Sequence, residues 1–137
     1  MNTFARTVDL LHRAMDVSVV RRSVIANNMA NAEVPNFKRS NVNFESELKR
    51  ALESEKQKPA LELNLTKDRH IPNWRARDYR DVQVRRVLDY VSTYNNNGNN
   101  VDPEQEIMLA TQNQMAYMMY AQAASFEFSQ VQRAIRS

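Results

Sequence analysis

From Ile107 to Gln132 the chain runs for 26 residues with a single charge, Glu127. On a helix, Met108, Met115, Met119 and Phe126 share one face, Leu109, Ala116, Tyr120 and Ala123 a second, and Tyr117, Ala121, Phe128 and Ile135 a third. A helix that is apolar or amide-bearing all round has no face that prefers water. Lipid is a poor alternative, because Gln112, Asn113, Gln114, Gln122, Gln130 and Gln132 would carry unpaired amides into hydrocarbon. Protein must therefore cover it. Its start is well marked in "VDPEQEI": Asp102 is a good N-cap, Pro103 suits the first turn, and Glu104 and Glu106 favour the positive end of the dipole. Gln105, three residues after the cap, is placed to close a capping box. The helix is expected to reach about Ile135.

A second helical pattern occupies the other end, from Thr3 to Asn31, with Asn2 or Thr3 as cap and Pro35 forcing Val34 out of helical geometry. Phe4, Val8, Leu11, Met15, Val19, Ile25, Ala26 and Met29 fall within an arc of about 120°, the width of one packing seam. Leu10, Val17, Val20 and Val24 form another cluster nearly opposite. Two helices of about 30 residues, each ~45 Å long, make only a hairpin. The remaining faces must then be covered by other subunits.

The expected fold is mainly α. Long helices in 1–35 and 102–137 pair as a coiled coil to form one domain, and 36–101 is a small, irregular, partly β insert. Phe4, Val8, Leu11, Met15, Ile25 and Met29 should meet Met108, Met115, Met119 and Phe126 along the seam. Arg22, in the middle of that seam, would snorkel to solvent along its stem. The methionines suit adaptable contacts between non-identical neighbours. Asn27, Asn28 and Asn31 continue the second cluster, turning it from aliphatic to amide. Amides offer donors and acceptors without a charge to desolvate, so these three should meet the next subunit. The plainer alternative is helix fraying before a loop.

Composition removes most enzymatic readings. There is no cysteine, so disulfides, thiolate metal sites and cysteine nucleophiles are excluded. The lone glycine, Gly98, sits in "NNNGNN", so no glycine-rich phosphate loop exists. His12 and His70 lie in unrelated contexts; Asp68 could orient His70 as a base, but no motif places a nucleophile. No metal, cofactor or catalytic group is expected. The net charge of +3 and pI near 9.4 are mildly basic. Residues 38–86 hold 13 of the 19 basic side chains. A nucleic-acid surface would use Lys67, Arg69, Arg75, Arg77, Arg80, Arg85 and Arg86 with Trp74 and Tyr79 for stacking. Asp68, Asp78 and Asp81 dilute that field, and such a binder leaves the uncharged last helix unexplained. Charges throughout "MNTFARTVDLLHRAMD" argue against a secretory signal, and no run of some 18 uncharged apolar residues could cross a membrane.

Within the insert, "FESELKRALESEKQK" (44–58) reads as a short polar helix with Phe44, Leu48 and Leu52 on one side. "ALELNL" (60–65) and "DVQVRR" (81–86) alternate as short strands. "STYNNNGNN" (92–100) reads as a flexible turn.

The stretch "VIANNMANAEVPNFKR" resembles the N-terminal signature of bacterial flagellar rod and hook proteins, of general form N-x-A-N-x-x-T-P-G-Y-K. Asn28, Ala30, Asn31, Pro35 and Lys38 match, while Val34, Asn36 and Phe37 replace the usual Thr, Gly and Tyr. Asn36 tolerates the left-handed third position of a type II Pro-x turn, so that exchange is mild. Losing the tyrosine hydroxyl puts one hydrogen bond in doubt. With "NFESELKR", "RHIP", "GNNVDPEQE" and "NQMAY", nearly the whole chain is similar to the proximal rod type.

The resemblance implies a structural, non-enzymatic subunit of the hollow rod crossing the periplasm. Its terminal helices would line the inner part, with Asn27, Asn28, Ala30, Asn31, Pro35, Asn36, Phe37 and Lys38 in subunit packing. It further implies export without a cleaved signal through the flagellar type III apparatus. The partners would be other rod subunits, the membrane-ring/rod junction protein, the export gate and copies of itself. Neither nucleic acid nor membrane insertion is among its expected roles. Phe44 and Leu48 have the Phe-x-x-x-aliphatic spacing expected for docking to the export gate; the alternative is a small helix packing on the insert. Phe4 and Val8 share that spacing but already have a seam to fill. A cytosolic helical adaptor or export chaperone is the runner-up, and it would not account for the Pro35 turn.

Overall fold

The computed structural model describes residues 3–57, 66–67, 69–70 and 75–136. Helix α1 spans Thr3–Ala30, strand β1 Ser40–Asn43, helix α2 Glu45–Lys56, strand β2 Arg85–Leu88 and helix α3 Pro103–Arg136. The chain divides into two compact units, residues 1–42 with 86–137, and residues 43–85. That division is tighter than the 36–101 insert, because residues 36–42 and 86–101 are bonded into the helical unit, as the junction below shows.

In the helical unit α1 packs along α3. On α3 the covered positions include Glu106, Leu109, Asn113, Ala116, Tyr120, Ala124, Glu127 and Val131, a row that steps by three and four as a left-handed coiled coil requires. Their counterparts on α1 include Phe4, Leu11, Ala14, Ser18, Ile25 and Asn28. Small residues at 116 and 124 let the backbones approach. The register is antiparallel: Asn113 Nδ2 donates to Ser18 O at 2.8 Å, and the rings of Phe4 and Phe128 meet edge to face at 5.7 Å.

This seam corrects the expected one on the α3 side. Phe4, Val8, Leu11 and Met15 are half-buried and Ile25 is buried, but Met29 is 40% exposed. Met108, Met115, Met119 and Phe126 are 54–61% exposed and lie opposite the seam. The inside of α3 is set by Glu106 and Asn113, whose Oε1 and Nδ2 find partners there, and the methionines are left facing out. The two opposed apolar clusters of α1 also differ from expectation, since Val17 and Val24 are buried while Val19 is exposed.

Strands β1 and β2 form a two-stranded antiparallel sheet. The strand expected at 81–86 begins only at Arg85, because Asp78 caps a 3-10 turn at Tyr79–Asp81 by accepting from Arg80 N at 2.9 Å. Its partner β1 was not expected as a strand. The strand expected at 60–65 lies outside the described residues.

In the smaller unit α2 packs on the Tyr79–Asp81 turn, with Phe44, Ala51 and Tyr79 buried. Ser54 Oγ accepts from Arg77 N at 2.9 Å, tying the chain before that turn to the helix.

Candidate functional site

The end of α1 and the start of α3 meet in a buried polar junction, and Asn28, one of the three asparagines expected to face outward, lies within it. Asn28 has no exposed surface. Its Nδ2 donates to Ser40 O at 2.9 Å and its Oδ1 accepts from Ser40 N at 3.0 Å, so the carboxamide takes both backbone groups as a neighbouring strand would. Nδ2 also reaches Glu106 Oε1 at 3.3 Å. Placing Asn28 against the next subunit is therefore corrected: its hydrogen bonds are spent inside the chain, where a helical amide can continue a sheet edge. Asn27 and Asn31 differ. Both are at or near the surface, Asn27 Oδ1 accepting from Arg86 Nη2 at 3.0 Å and Asn31 Nδ2 donating to Asn27 O at 2.7 Å.

Glu106 is wholly buried and pairs with Arg39, Nη2 to Oε1 at 3.0 Å. Arg39 Nη1 also donates to Gln105 Oε1, and Nη2 to Asn41 Oδ1 at 3.3 Å. The expected capping box does not form, because a charge-assisted bond to Arg39 takes the Gln105 oxygen. Asp102 does cap, its Oδ1 accepting from Glu104 N at 3.0 Å and Gln105 N at 3.3 Å.

The loop read as a flexible turn forms the third side. Asn99, also without exposed surface, donates from Nδ2 to Asn31 O, Ala32 O and Val34 O at 2.8–2.9 Å. One amide thus gathers three carbonyls just beyond α1, adding to the backbone bonds that Asn31 O and Val34 O accept from Val34 N and Phe37 N. Its Oδ1 accepts from Val101 N at 2.7 Å. Asn100 is buried, its Oδ1 accepting from Arg39 N at 2.7 Å and its Nδ2 donating to Asp89 O at 2.7 Å. Asp89 Oδ2 accepts from Ser92 Oγ at 2.7 Å, and its Oδ1 from the N–H groups of Ser92 and Val91. These bonds hold the carboxyl below the usual carboxylate range, with a smaller pull from the Arg39 charge.

The Pro35 turn sits beside this loop. Phe37 N donates to Val34 O at 3.3 Å, and Asn36 adopts φ 60°, the left-handed geometry its position requires. Asn36 N donates to Asn97 O at 3.1 Å and Lys38 Nζ to Gly98 O at 2.7 Å. Of the signature residues, Asn28, Asn36, Phe37 and Lys38 bond across this junction through side chain or backbone, Ala30 closes α1, and Pro35 turns the chain. Asn99, Asn100, Arg39 and Glu106 belong to the same arrangement. The repeated Asn in 95–100, echoing 27, 28 and 31, was the available signal.

Phe44 is buried and Leu48 half-buried; Leu48 N donates to Phe44 O at 2.8 Å, the first turn of α2.

Around the helical unit the outer face of α3 carries Ile107, Met108, Met115, Met118, Met119 and Phe126, each more than half exposed. An isolated soluble chain seldom leaves so continuous an apolar strip in water. No described helix is long and apolar enough to cross a membrane.

No family model matches the chain. Curated relatives do. The flagellar basal body rod protein FlgB of Borreliella burgdorferi is 45% identical over 131 residues, 96% of each chain. The protein of the same name from Borrelia hermsii is 43% identical over 138 residues, covering 99% of this chain and all of that one. The Bacillus subtilis protein of that name is 29% identical over 131 residues, 94% of this chain and 92% of its own.

Proposed function

Because the chain belongs to the family of the flagellar basal body rod protein FlgB, it is a structural subunit of that rod, and we propose that it joins its neighbours through the exposed, uncharged face of α3. The observation that carries this reading is the strip from Ile107 to Phe126, which an isolated chain leaves in water. Met29 and Val19 on α1 extend the apolar surface available for packing. The neighbours are other rod subunits, copies of this chain and the junction protein between membrane ring and rod. No catalysis, nucleic acid or membrane insertion belongs to this role.

The chain reaches the periplasm through the flagellar type III apparatus without a cleaved signal. Phe44 and Leu48 serve that passage before folding, since Phe44 is buried afterwards. Replacing Phe44 by Ala should reduce export of the chain; unchanged export with a disturbed smaller unit would reduce Phe44 to a packing residue.

The test is fractionation of detergent-extracted basal bodies from cells carrying a tagged copy, read by immunoblot and immunogold. Label at the membrane-proximal end of the rod is expected. Label found only in the cytosol would overturn the reading in favour of a helical adaptor or export chaperone.

A further inference from the structure

The two-stranded sheet has one edge closed and one open. Asp89 N donates to Arg39 O at 2.9 Å, which sets Ser40 opposite Leu88 and Val42 opposite Arg86 along the antiparallel pair. Residues of such a pair turn their backbone groups alternately toward the partner strand and away from it. Ser40 turns its N–H and C=O away from β2, and the Asn28 carboxamide takes both. Helix α1 thereby closes the β1 edge. Opposite Ser40 and Val42, Leu88 and Arg86 turn theirs away from β1. Among the described residues, nothing outside the strand pair bonds to either backbone there. All of β2 is exposed, Val87 at 49% and Leu88 at 47%.

We propose that the β2 edge receives an extended, acidic segment of a neighbouring rod subunit as a third strand. The proposal rests on the rod reading above. A side chain such as Asn28 satisfies one strand residue, as it does at Ser40. Two residues, with their N–H and C=O groups about 7 Å apart, take another extended backbone.

The charge of that segment follows from what surrounds the edge. Arg85 and Arg86 are both exposed. Asp89, the nearest carboxylate along the chain, spends its oxygens on the Ser92 hydroxyl and on the N–H groups of Val91 and Ser92. The strand therefore presents positive charge, and a carboxylate-bearing strand is favoured beside it. The same edge of another copy is a poor match, because it brings two further arginines against these two. Val87 and Leu88, with Tyr90 and Val91 just beyond the strand, offer apolar surface to the segment's other side chains. This contact uses none of the α3 strip, so the two can be tested apart.

Hydrogen–deuterium exchange resolved to single amides reads the edge directly. In the purified chain the Val87 N–H, turned toward β1, should be protected, while those of Arg86 and Leu88 exchange freely. In basal bodies all three should be protected. As a second measurement, Leu88→Pro removes an outward N–H and no ladder bond, a place where an edge strand tolerates proline. The purified variant should keep its helical circular dichroism, while its recovery with basal bodies falls about tenfold, the worth of one hydrogen bond. Leu88→Val, which keeps the N–H, should be recovered like wild type. Arg85→Glu should also lower recovery, and Arg85→Lys should not. Amides of Arg86 and Leu88 that stay open in basal bodies overturn the proposal, as does full recovery of Leu88→Pro or of Arg85→Glu. A purified chain that is already a dimer with both amides protected overturns it in favour of self-pairing. Absence of the wild-type chain from basal bodies would overturn the rod reading, and this proposal with it.

Discussion

Replacing Arg39 by Ala should be among the most damaging single changes in the chain. Its guanidinium is the only cation within ion-pair distance of Glu106 among the described residues, at 3.0 Å, and Glu106 has no exposed surface. Without Arg39, that carboxylate keeps one donor, Asn28 Nδ2 at 3.3 Å, and its Oε2 already has none among the described residues. Leaving a buried charge uncompensated costs about 3–5 kcal/mol. A domain of this length has a total stability of roughly 7–20 kcal/mol, so the loss is a large share. The melting temperature should fall by roughly 10–15 °C. Urea unfolding followed by circular dichroism measures it directly. A companion variant separates charge from packing: Arg39→Met with Glu106→Leu removes both charges and fills the volume, and leaves the Arg39 N to Asn100 bond intact. It should lie within about 1–2 kcal/mol of wild type. If Arg39→Ala costs under about 1 kcal/mol, as a solvated surface pair would, or if the double variant is as unstable as the single, the reasoning is refuted.

Asn99→Ala should cost about 2–4 kcal/mol in urea unfolding, because it strips donors from three carbonyls at the end of α1, and Asn99→Asp should cost more by setting a carboxylate oxygen against them. Gly98→Ala should destabilise by roughly 1–3 kcal/mol, since Gly98 has φ 81° and a Cβ there would lie 2.5 Å from Asn36 Oδ1. Asn36→Gly should recover part of that loss by removing the obstructing side chain, and strict additivity of the two changes would show that the clash is not the cause. Asp89 titrates below its unfolded value, so the stability it contributes is present above about pH 4 and is lost as pH falls through the lower folded value. Ser92→Ala removes the largest cause of that depression, so NMR titration should show the Asp89 carboxyl moving up and the acid limb of stability becoming shallower; an unmoved carboxyl would assign the effect elsewhere.

The long elements were legible because their signals are local. Asp102 and Pro103 mark the start of α3, Pro35 bounds α1, and periodicity carries both helices. Which face of α3 points inward was not legible. A hydrophobicity wheel places methionine inside and glutamate outside, whereas Glu106 and Asn113 are buried because Arg39, Asn28 and Ser18 O meet them across 67, 78 and 95 residues of chain. The same applies to "NNNGNN": Asn is a turn former by local preference, and only the distant carbonyls of residues 31–34 turn Asn99 into a buried cap. Polar residues whose partners lie far along the sequence carry no periodic trace.

The division of labour between the two kinds of surface follows from the energetics of each. Hydrogen bonds between buried amides and backbone are directional and costly to leave unmade, so they fix one geometry. They concentrate where α1 ends and α3 begins, at Asn28, Arg39, Asn99 and Glu106. Methionine packing is non-directional and adaptable, and it covers the outer face of α3, where under the proposed reading unlike neighbours must be met. Met115→Ala should therefore barely change the stability of the isolated chain, its side chain being 59% exposed, while reducing incorporation into the rod. Asn28→Ala should do the reverse and lower the stability of the chain before any neighbour is present, because its loss leaves both backbone groups of Ser40 without their partner. Equal losses of monomer stability in the two variants would show that the inner and outer faces of the helix pair have been assigned wrongly.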